Sequence, residues 1–192
     1  DGKDYTVAIV DGKAVKTIAD LKANNYTVTV KYAGDNNYNP NQNTTKFTVS
    51  KISDYNMNIT VPGDVKVGED AVIIVNVPKD ASGNVTVSVG KDVYNAVISN
   101  GSAKVVVSGL GAGVYNVSAT FADDKYAQNK ANATVVVSKV TDYNMNVSVP
   151  EFKEGVNSTI SVDLPKDATG TVTVEIDGKK YTANVTNGTA KV

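Results

Sequence analysis

The chain repeats itself, and this periodicity constrains its fold more than any other feature. The segment Lys51–Pro62, KISDYNMNITVP, returns 88 residues later as Lys139–Pro150, KVTDYNMNVSVP. A Gly-Lys motif also opens three similar hairpins, at Gly2, Gly90 and Gly178. Self-similarity at a fixed spacing is typical of arrays in which each repeat is one structural module. The repeat therefore favours a structural or binding array over an enzyme.

The repeats are out of register with the ends of this chain. We predict one complete repeat over residues 52–139, with the second half of another repeat before it (1–51) and the first half of a third after it (140–192). We expect a segment of a longer protein, but completion of the half-repeats by neighbouring identical chains in a filament stays open. Residues 1–15 and 178–192 copy the same hairpin, which argues against that second arrangement.

Composition removes several classes of function. The 192 residues include no Cys, His or Trp, and all 19 basic residues are Lys. Without Cys and His, the common zinc, haem and iron–sulfur ligands are missing, as are nucleophile–base pairs built on them. A net charge of -1 gives no broad basic face for nucleic acid. No apolar run is long enough to span a membrane. We expect no catalytic residues, no cofactor and no nucleic-acid partner.

Apolar residues recur at every second position, and Val and Thr dominate these runs, which is the pattern of half-buried β-strands. The fold class predicted is all-β, with seven strands in each repeat. The predicted inward residues of the complete repeat are Tyr55, Met57, Ile59, Val61, Ile73, Val75, Val77, Val85, Val87, Val89, Tyr94, Ala96, Ile98, Val105, Val107, Tyr115, Val117, Ala119, Phe121, Val135 and Val137.

Turn residues refine the fold prediction. Asn100-Gly101, and its counterparts Asp11-Gly12 and Asn187-Gly188, suit the positive φ angles of type I′ hairpins. Tyr26 and Tyr115 each follow a turn that contains Asn or Gly, where the tyrosine corner of an immunoglobulin-like sandwich lies. Seven short strands with these turns predict tandem immunoglobulin-like β-sandwich repeats of about 88 residues.

Several motifs together carry a family resemblance: the opening stretch KISDYNMNITVPGDVKVGEDA, the loop VPKDASGNVTV, the hairpin GKDVYNAVISNG, the corner GLGAGVYNVSATF and the closing NATVVVSK. With them the chain resembles the bacterial-type immunoglobulin-like (Big) repeats that occur in tandem in large surface proteins, particularly the adhesin-like proteins of methanogenic archaea. The resemblance covers the whole chain in staggered copies. It implies a non-catalytic, extracellular stalk or filament module at the cell surface, with neighbouring repeats as partners in cis and any host or microbial ligand bound at a tip elsewhere.

Eleven Asn-x-Ser/Thr sequons are present. They begin at Asn25, Asn43, Asn58, Asn84, Asn116, Asn132, Asn146, Asn157 and Asn184, and at Asn100 and Asn187 within tight turns. Strand alternation by itself places Asn and Thr two apart on one face, without any sugar. Each Asn nevertheless falls at a predicted outward position or in a turn, where a glycan has room. We therefore predict N-glycosylation, with Asn100 and Asn187 the weakest candidates because they form turns.

Acidic loops supply the only metal candidates. Asp35 and the pair Asp123-Asp124 lie in equivalent loops before Tyr38 and Tyr126, and their oxygens suit Ca²⁺. Neither loop has the spacing of a twelve-residue calcium loop, and Asp is favoured in turns for its own reasons. Calcium binding is therefore the weaker interpretation of these residues.

The stretch DYNMN is unchanged between copies and lies where one repeat passes into the next. Packing of the first strand, with Met57 and Met145 as core residues, is one explanation. The sharper hypothesis is that Asp54, Tyr55 and Asn56, with Asp142, Tyr143 and Asn144, set the angle between adjacent modules. The predicted function is thus a structural spacer in a glycosylated surface protein; the alternative is a glycan- or protein-binding module that acts through its loops.

Overall fold

The computed structural model describes residues 2–192, and that part of the chain is built of β-strands without a helix. The all-β prediction is confirmed. The chain divides into two compact units, Asp1–Ser138 and Lys139–Val192. The first holds the leading half-repeat and the complete repeat, and the second holds the last half-repeat.

The paired strands of the leading half-repeat form one hairpin. Strands β1 (Asn24–Tyr32) and β2 (Asn41–Val49) pair antiparallel along their whole length. Tyr26 of β1 stacks on Phe47 of β2 with ring centroids 5.4 Å apart. Aromatic and aliphatic residues therefore share one face of this hairpin.

The strand predicted through Tyr5 and Ile9 does not form. Between residues 2 and 23 the only pairing is the bridge of Val10 with Lys13, across the Asp11-Gly12 turn. In the complete repeat the corresponding strand pairs with the segment that precedes it, and residues 1–51 contain no copy of that partner. A strand without a neighbour leaves its backbone groups unpaired, so the sequence pattern alone does not hold it extended.

Eight strands form the complete repeat, one more than predicted. They are β3 (Asn58–Thr60), β4 (Val65–Lys66), β5 (Ala71–Asn76), β6 (Asn84–Val89), β7 (Asp92–Val97), β8 (Ser102–Val107), β9 (Gly113–Phe121) and β10 (Asn129–Ser138). The additional strand is β4. Two residues are too few to show alternation, so the sequence pattern does not reveal it.

The eight strands belong to two sheets. One has the order β3-β5-β8 and the other the order β4-β10-β9-β6-β7. All neighbours pair antiparallel, except that β4 runs parallel to β10. The first strands of the repeat thus lie in different sheets, and β4 adds an edge beside the last strand.

The two sheets enclose one hydrophobic core, and the predicted inward face is confirmed. Phe121 and Ile73 are among its largest fully buried side chains. Of the predicted inward residues, those of the first strand are half-buried and pack against this core. The core also includes Val65, Leu110 and Tyr126, which the alternation did not place there. Full burial of each Val, Ile or Phe contributes about 1.5–3 kcal/mol, and no buried polar side chain offsets it within residues 2–192.

The last half-repeat forms five strands with a small core. They are β11 (Asn146–Ser148), β12 (Ser161–Asp163), β13 (Thr171–Ile176), β14 (Lys179–Asn184) and β15 (Thr189–Lys191). Strands β11, β12 and β15 form one sheet, and β13 pairs with β14. Only Ile160, Val162 and Ala190 are buried hydrophobic residues in this unit. Residues 139–192 contain no copies of β9 and β10, so much of the inward face stays uncovered.

The hairpin of β6 and β7 has a copy in β13 and β14, with different residues in the turn. Strands β6 and β7 turn at Gly90-Lys91, whereas β13 and β14 turn at Asp177-Gly178. The cross-strand pair of Val87 with Tyr94 is nevertheless kept as Val174 with Tyr181. Asp177 therefore stands in the place of Gly90, and Gly178 in the place of Lys91, so the turn changes in sequence but not in length.

The Asn-Gly turns adopt the predicted geometry and also make a close contact. Asn100 and Gly101 have φ angles of 51° and 77°, as a type I′ turn requires. A Cβ on Gly101 would lie 2.9 Å from Lys79 Cα and 2.9 Å from the Val77 carbonyl oxygen. Gly188 makes the same close approach to the segment after β12. Only glycine therefore combines this backbone with this packing.

Tyr26 and Tyr115 each bond back to the turn that precedes their strand. The Tyr115 hydroxyl donates to the Gly111 carbonyl over 3.0 Å, and the Tyr26 hydroxyl donates to the Lys22 carbonyl over 2.8 Å. Each bond reaches four residues back along the chain and so holds the turn that precedes the strand. The two copies agree although one turn is rich in Gly and the other in Asn.

We expect Gly101→Ala to destabilise the complete repeat more than Gly109→Ala, a matched control. Gly109 also has a positive φ, of 73°, but a Cβ there meets nothing within 4 Å. The control loses about 1–2 kcal/mol to the left-handed backbone. Gly101→Ala loses about 1–3 kcal/mol more through overpacking. Urea unfolding followed by circular dichroism measures both, and equal losses would contradict the close contact.

Candidate functional site

The candidate site is the end of the complete repeat at which the chain enters it. Residues 51–55, the leading segment, cross the loop between β9 and β10 (residues 122–128). The Ile52 N–H donates to the Lys125 carbonyl over 2.9 Å, and the Ile52 carbonyl accepts from the Ala127 N–H at 2.9 Å. Ile52 thereby forms a parallel bridge with Tyr126. The start of the repeat is bound by its own last loop.

Tyr55 fixes the leading segment from the side. Its hydroxyl donates to the Ala127 carbonyl over 2.7 Å. Its ring lies edge-on to Tyr126 at 4.9 Å and to Phe121 at 6.2 Å between centroids. Burial raises the pKa of Tyr55, and the charge of Asp123 raises it further. The phenol therefore stays a neutral hydrogen-bond donor throughout the physiological range.

Asp123 organises the loop that receives the leading segment. Its Oδ1 accepts the Lys125 and Tyr126 N–H groups at 2.8 and 2.6 Å, and its Oδ2 accepts the Ser82 N–H at 3.1 Å. Burial opposes ionisation of Asp123, but these donors outweigh it and hold the pKa of its carboxyl below the usual value. One carboxylate thus ties the β9–β10 loop to the β5–β6 loop.

A second carboxylate links the same two loops. Asp80 accepts a hydrogen bond from the Tyr126 hydroxyl at 2.7 Å and forms an ion pair with Lys125. Lys125 and then Tyr126 hold the pKa of Asp80 below its usual value. The ion pair is about half exposed, so it adds little stability by itself. Its effect is to orient Tyr126, the ring on which Tyr55 rests.

Lys51 extends the site toward the preceding half-repeat. Its ammonium donates to the Asp123 carbonyl over 2.6 Å. Only Ser50 and Lys51 separate Val49, the last residue of β2, from Ile52. The passage between the half-repeat and the complete repeat is therefore two residues long, and one of the two is itself hydrogen-bonded.

The other predicted junction residues are placed differently. Asp54 and Asn56 are exposed on either side of Tyr55. In the last half-repeat Asp142, Tyr143 and Asn144 are all exposed, Tyr143 by 51%. The structure thus singles out Tyr55 among the six. Tyr143 has no counterpart of Phe121 or Tyr126 within residues 139–192 to pack on.

The calcium candidates serve as turn residues. Asp35 accepts the Asn37 and Tyr38 N–H groups at 2.7 and 2.8 Å, the same pattern as Asp123. Tyr32 and then these donors hold the pKa of Asp35 below its usual value. Asp124 is exposed beside Asp123. Within residues 2–192 no three acidic residues group closely enough to hold a metal ion.

The sequon asparagines are all exposed. Where their side chains bond, they do so through Oδ1: Asn25 accepts from Thr48, Asn43 from the Thr44 N–H and Asn58 from Asn76. In the described part of the chain none donates through Nδ2, the atom that a glycan would modify. The sugar-accepting nitrogens therefore face solvent.

Three sequons share the outer face of the five-stranded sheet. Asn116 lies opposite Thr134, and Asn132 lies opposite Ser118, so the two sequons face each other across β9 and β10. Asn84 lies on the same sheet, at the start of β6. Asn116 and Asn132, together with Lys130, line a shallow, open groove. Most of this face is made of uncharged Asn, Ser and Thr.

Asn43 is an exception to the predicted outward placement. It lies opposite Val30, while Thr45 lies opposite Val28, so it shares the face of Tyr26 and Phe47. The alternation did not reveal this placement, because β2 is polar at nearly every position, which hides the parity of its inward residues. The register with β1 shows the parity directly.

Sequence reasoning missed Asp80, Lys125 and Tyr126 as members of the site. A usable signal existed, because Asp80 has a copy at Asp167 and Tyr126 has one at Tyr38. Tyr126 is 5% exposed and Tyr38 is 69% exposed, so the same residue type serves two different environments. The contact between loops 45 residues apart was not readable from either copy.

Neither a protein-family model nor a curated protein matches this chain. In residues 2–192 the structure contains no helix of the length and hydrophobicity that a membrane crossing needs.

We expect the stability of the site to fall in acid. The pKa of Asp123 is lower in the folded state, so its contribution is complete above the ordinary carboxyl pKa of about 3.9. It is lost as the pH falls through the lowered folded value. Asp123→Ala should lose about 1–3 kcal/mol at neutral pH, and its deficit relative to wild type should shrink near pH 2.

Asp124→Ala is the matched control, since Asp124 is the exposed neighbour. Urea unfolding between pH 7 and pH 2 measures all three proteins. A deficit in Asp123→Ala that stays constant over this range would show that the ionised carboxylate is not what the loop requires.

Proposed function

We propose that this chain is a segment of a tandem array of immunoglobulin-like modules that acts as a non-catalytic spacer in a cell-surface protein. The observation that carries the proposal is the capture of the leading segment by the β9–β10 loop. A module that binds the first residues of its own chain, two residues after the preceding strand ends, restricts rotation between modules. Restricted rotation is what a stalk or filament needs.

The strand arrangement supports the immunoglobulin-like assignment. Strands β3, β5 and β8 match A, B and E of that fold, and β10, β9 and β6 match G, F and C. Strand β7 occupies the C′ position beside β6, and β4 is a short A′ strand beside G. The hydroxyl of Tyr115 at the start of β9 makes the backbone bond of a tyrosine corner.

The short connection supports a semi-rigid array. A similarly short connection recurs further along the sequence, where only Lys139 lies between Ser138, the end of β10, and Val140, the copy of Ile52. Linkers of one or two residues leave little freedom compared with flexible linkers of many residues. In an array, Tyr55 and its copies would each hold one such junction.

The outer faces support an N-glycosylated, extracellular protein. Asn84, Asn116 and Asn132 present their amides to solvent on a surface made mostly of uncharged Asn, Ser and Thr. Glycans attached there would cover the broad face of the sheet and leave the two ends of the module free. The ends are where neighbouring modules join.

The loop-binding alternative gains less support. The polar groups of the β9–β10 loop, led by Asp123, are occupied by the backbone and side chains of the module itself. A ligand at this loop would compete with the leading segment.

We expect Tyr55→Ala to loosen the junction before the complete repeat. Since the chain has no Cys, spin labels on Lys46→Cys and Lys104→Cys report one distance across that junction. Loss of the Tyr55 ring and hydroxyl should broaden the distance distribution measured by pulsed electron paramagnetic resonance. Circular dichroism verifies that the repeat remains folded.

Tyr143→Ala is the control for this experiment, because Tyr143 is the sequence copy of Tyr55 and is exposed here. It should leave the distribution unchanged. An equally narrow distribution in Tyr55→Ala would remove Tyr55 as the residue that fixes the junction.

We expect glycopeptide mass spectrometry of the protein from an N-glycosylating source to find sugar on the outer face. Asn84 and at least one of Asn116 and Asn132 should be occupied, because their amides are exposed and unbonded. Asn43 should be occupied less than Asn25, since Asn43 shares a face with core-forming residues. Unmodified asparagine at every sequon would overturn the glycoprotein proposal and leave the spacer proposal standing.

A further inference from the structure

The first and last segments of the complete repeat run parallel and are hydrogen-bonded at two places. At the beginning, Ile52 pairs with Lys125 and Ala127 on either side of Tyr126. Further on, β4 pairs with the end of β10, Val65 opposite Val137 and Lys66 opposite Ser138. The Val67 N–H then donates to the Ser138 carbonyl over 3.0 Å. Residues 52–67 thus follow the whole last strand, although β3, between these two places, pairs within the other sheet.

The valine pair at the second place is shielded from water. Val65 and Val137 are 2% and 3% exposed and face each other across the parallel pair. The turn after β4 is closed by two bonds between Lys66 and Glu69, at 2.9 and 3.0 Å. Hydrogen bonds in a low-dielectric setting, with water excluded, are stronger and harder to exchange than exposed ones.

Tension on an array passes through these contacts. A pull along the chain draws residue 52 and residue 138 in opposite directions, and the parallel pairing means that the force acts along the two segments. Every bond of both places is then loaded at once. In an antiparallel hairpin pulled at its open end, the bonds are instead loaded one after another.

We propose that the parallel pairs at Ile52 and at β4 form a tension-bearing clamp, which makes the complete repeat a load-bearing module. This inference rests on the proposed spacer function, because only an array held at both ends carries tension. The chemistry of the clamp is backbone hydrogen bonding, reinforced by Lys51 and Tyr55 at its first place and by the two buried valines at its second.

Single-molecule force spectroscopy tests the clamp through the direction of pulling. Because the chain lacks Cys, a pair of introduced cysteines defines the two attachment points without ambiguity. Ser50→Cys with Lys139→Cys pulls the two segments in shear and keeps Lys51 in place. Gly111→Cys with Lys139→Cys pulls β9 and β10 apart from their open end; a Cβ at Gly111 meets only the Tyr115 hydroxyl, at 3.9 Å.

The clamp predicts a severalfold higher unfolding force for the first pair than for the second, measured in the full chain. The shear event is recognised by its length, since each residue released between 52 and 138 adds about 3.3–3.6 Å. Equal forces in the two directions would overturn the proposal.

A pair of variants separates the clamp from general stability. Val67→Pro removes the donor of the bond to Ser138 and should lower the shear force markedly. Gly101→Ala lowers equilibrium stability outside the clamp and should change that force little, because forced unfolding follows the barrier rather than the equilibrium. The reverse order would also overturn the proposal. If the clamp fails while Tyr55→Ala still broadens the junction, the spacer function stands without a load-bearing role.

Discussion

The packing of Tyr55 on Phe121 and Tyr126 is the contact on which the repeat depends, because it joins the first residues of the module to its last loop. The two partial copies in the same chain show what its loss does. Tyr38, the copy of Tyr126, is exposed where no leading segment covers it, and Tyr143, the copy of Tyr55, is exposed where no β9–β10 loop receives it. Only in the complete repeat is Tyr126 buried, with Tyr55 half-buried against it. Closure of the core is therefore a property of the whole 88-residue unit.

The parts of the fold that follow from local pattern were predictable. Alternation gave the inward faces of β5, β6, β8 and β9, and the Asn-Gly pairs gave the turns, since both depend on neighbours in sequence. Strand β4 was not predicted, because its partner, β10, lies some seventy residues away and a strand of this length is too short to show alternation. The strand expected at Tyr5 does not form for the opposite reason: its alternating pattern is clear, but it has no strand to pair with. Pairing, unlike alternation, is decided by distant residues.

The residues of the candidate site also divide into those that the sequence pointed to and those that only the fold brings together. Tyr55 stood out because its surroundings repeat unchanged, whereas Asp80 and Lys125 meet only through the fold. Calcium binding was the weaker interpretation of Asp35 and Asp123, beside a role in turns. Their carboxylates accept backbone N–H groups, a role that composition does not distinguish from metal binding. The outward placement of sequons held wherever a strand alternated cleanly and failed at Asn43, in a strand with too few apolar residues to mark its faces.

The reach of the Tyr55 hydrogen bond, 72 residues along the chain to Ala127, also governs when the module can form. During synthesis the first half of each repeat must wait for its last hairpin, so the contacts that close the core are non-local and slow to assemble. Throughout that interval a newly made half meets neighbours of nearly the same sequence. Differences in sequence between copies, such as Asp177-Gly178 in place of Gly90-Lys91, then favour pairing within a repeat over exchange between repeats.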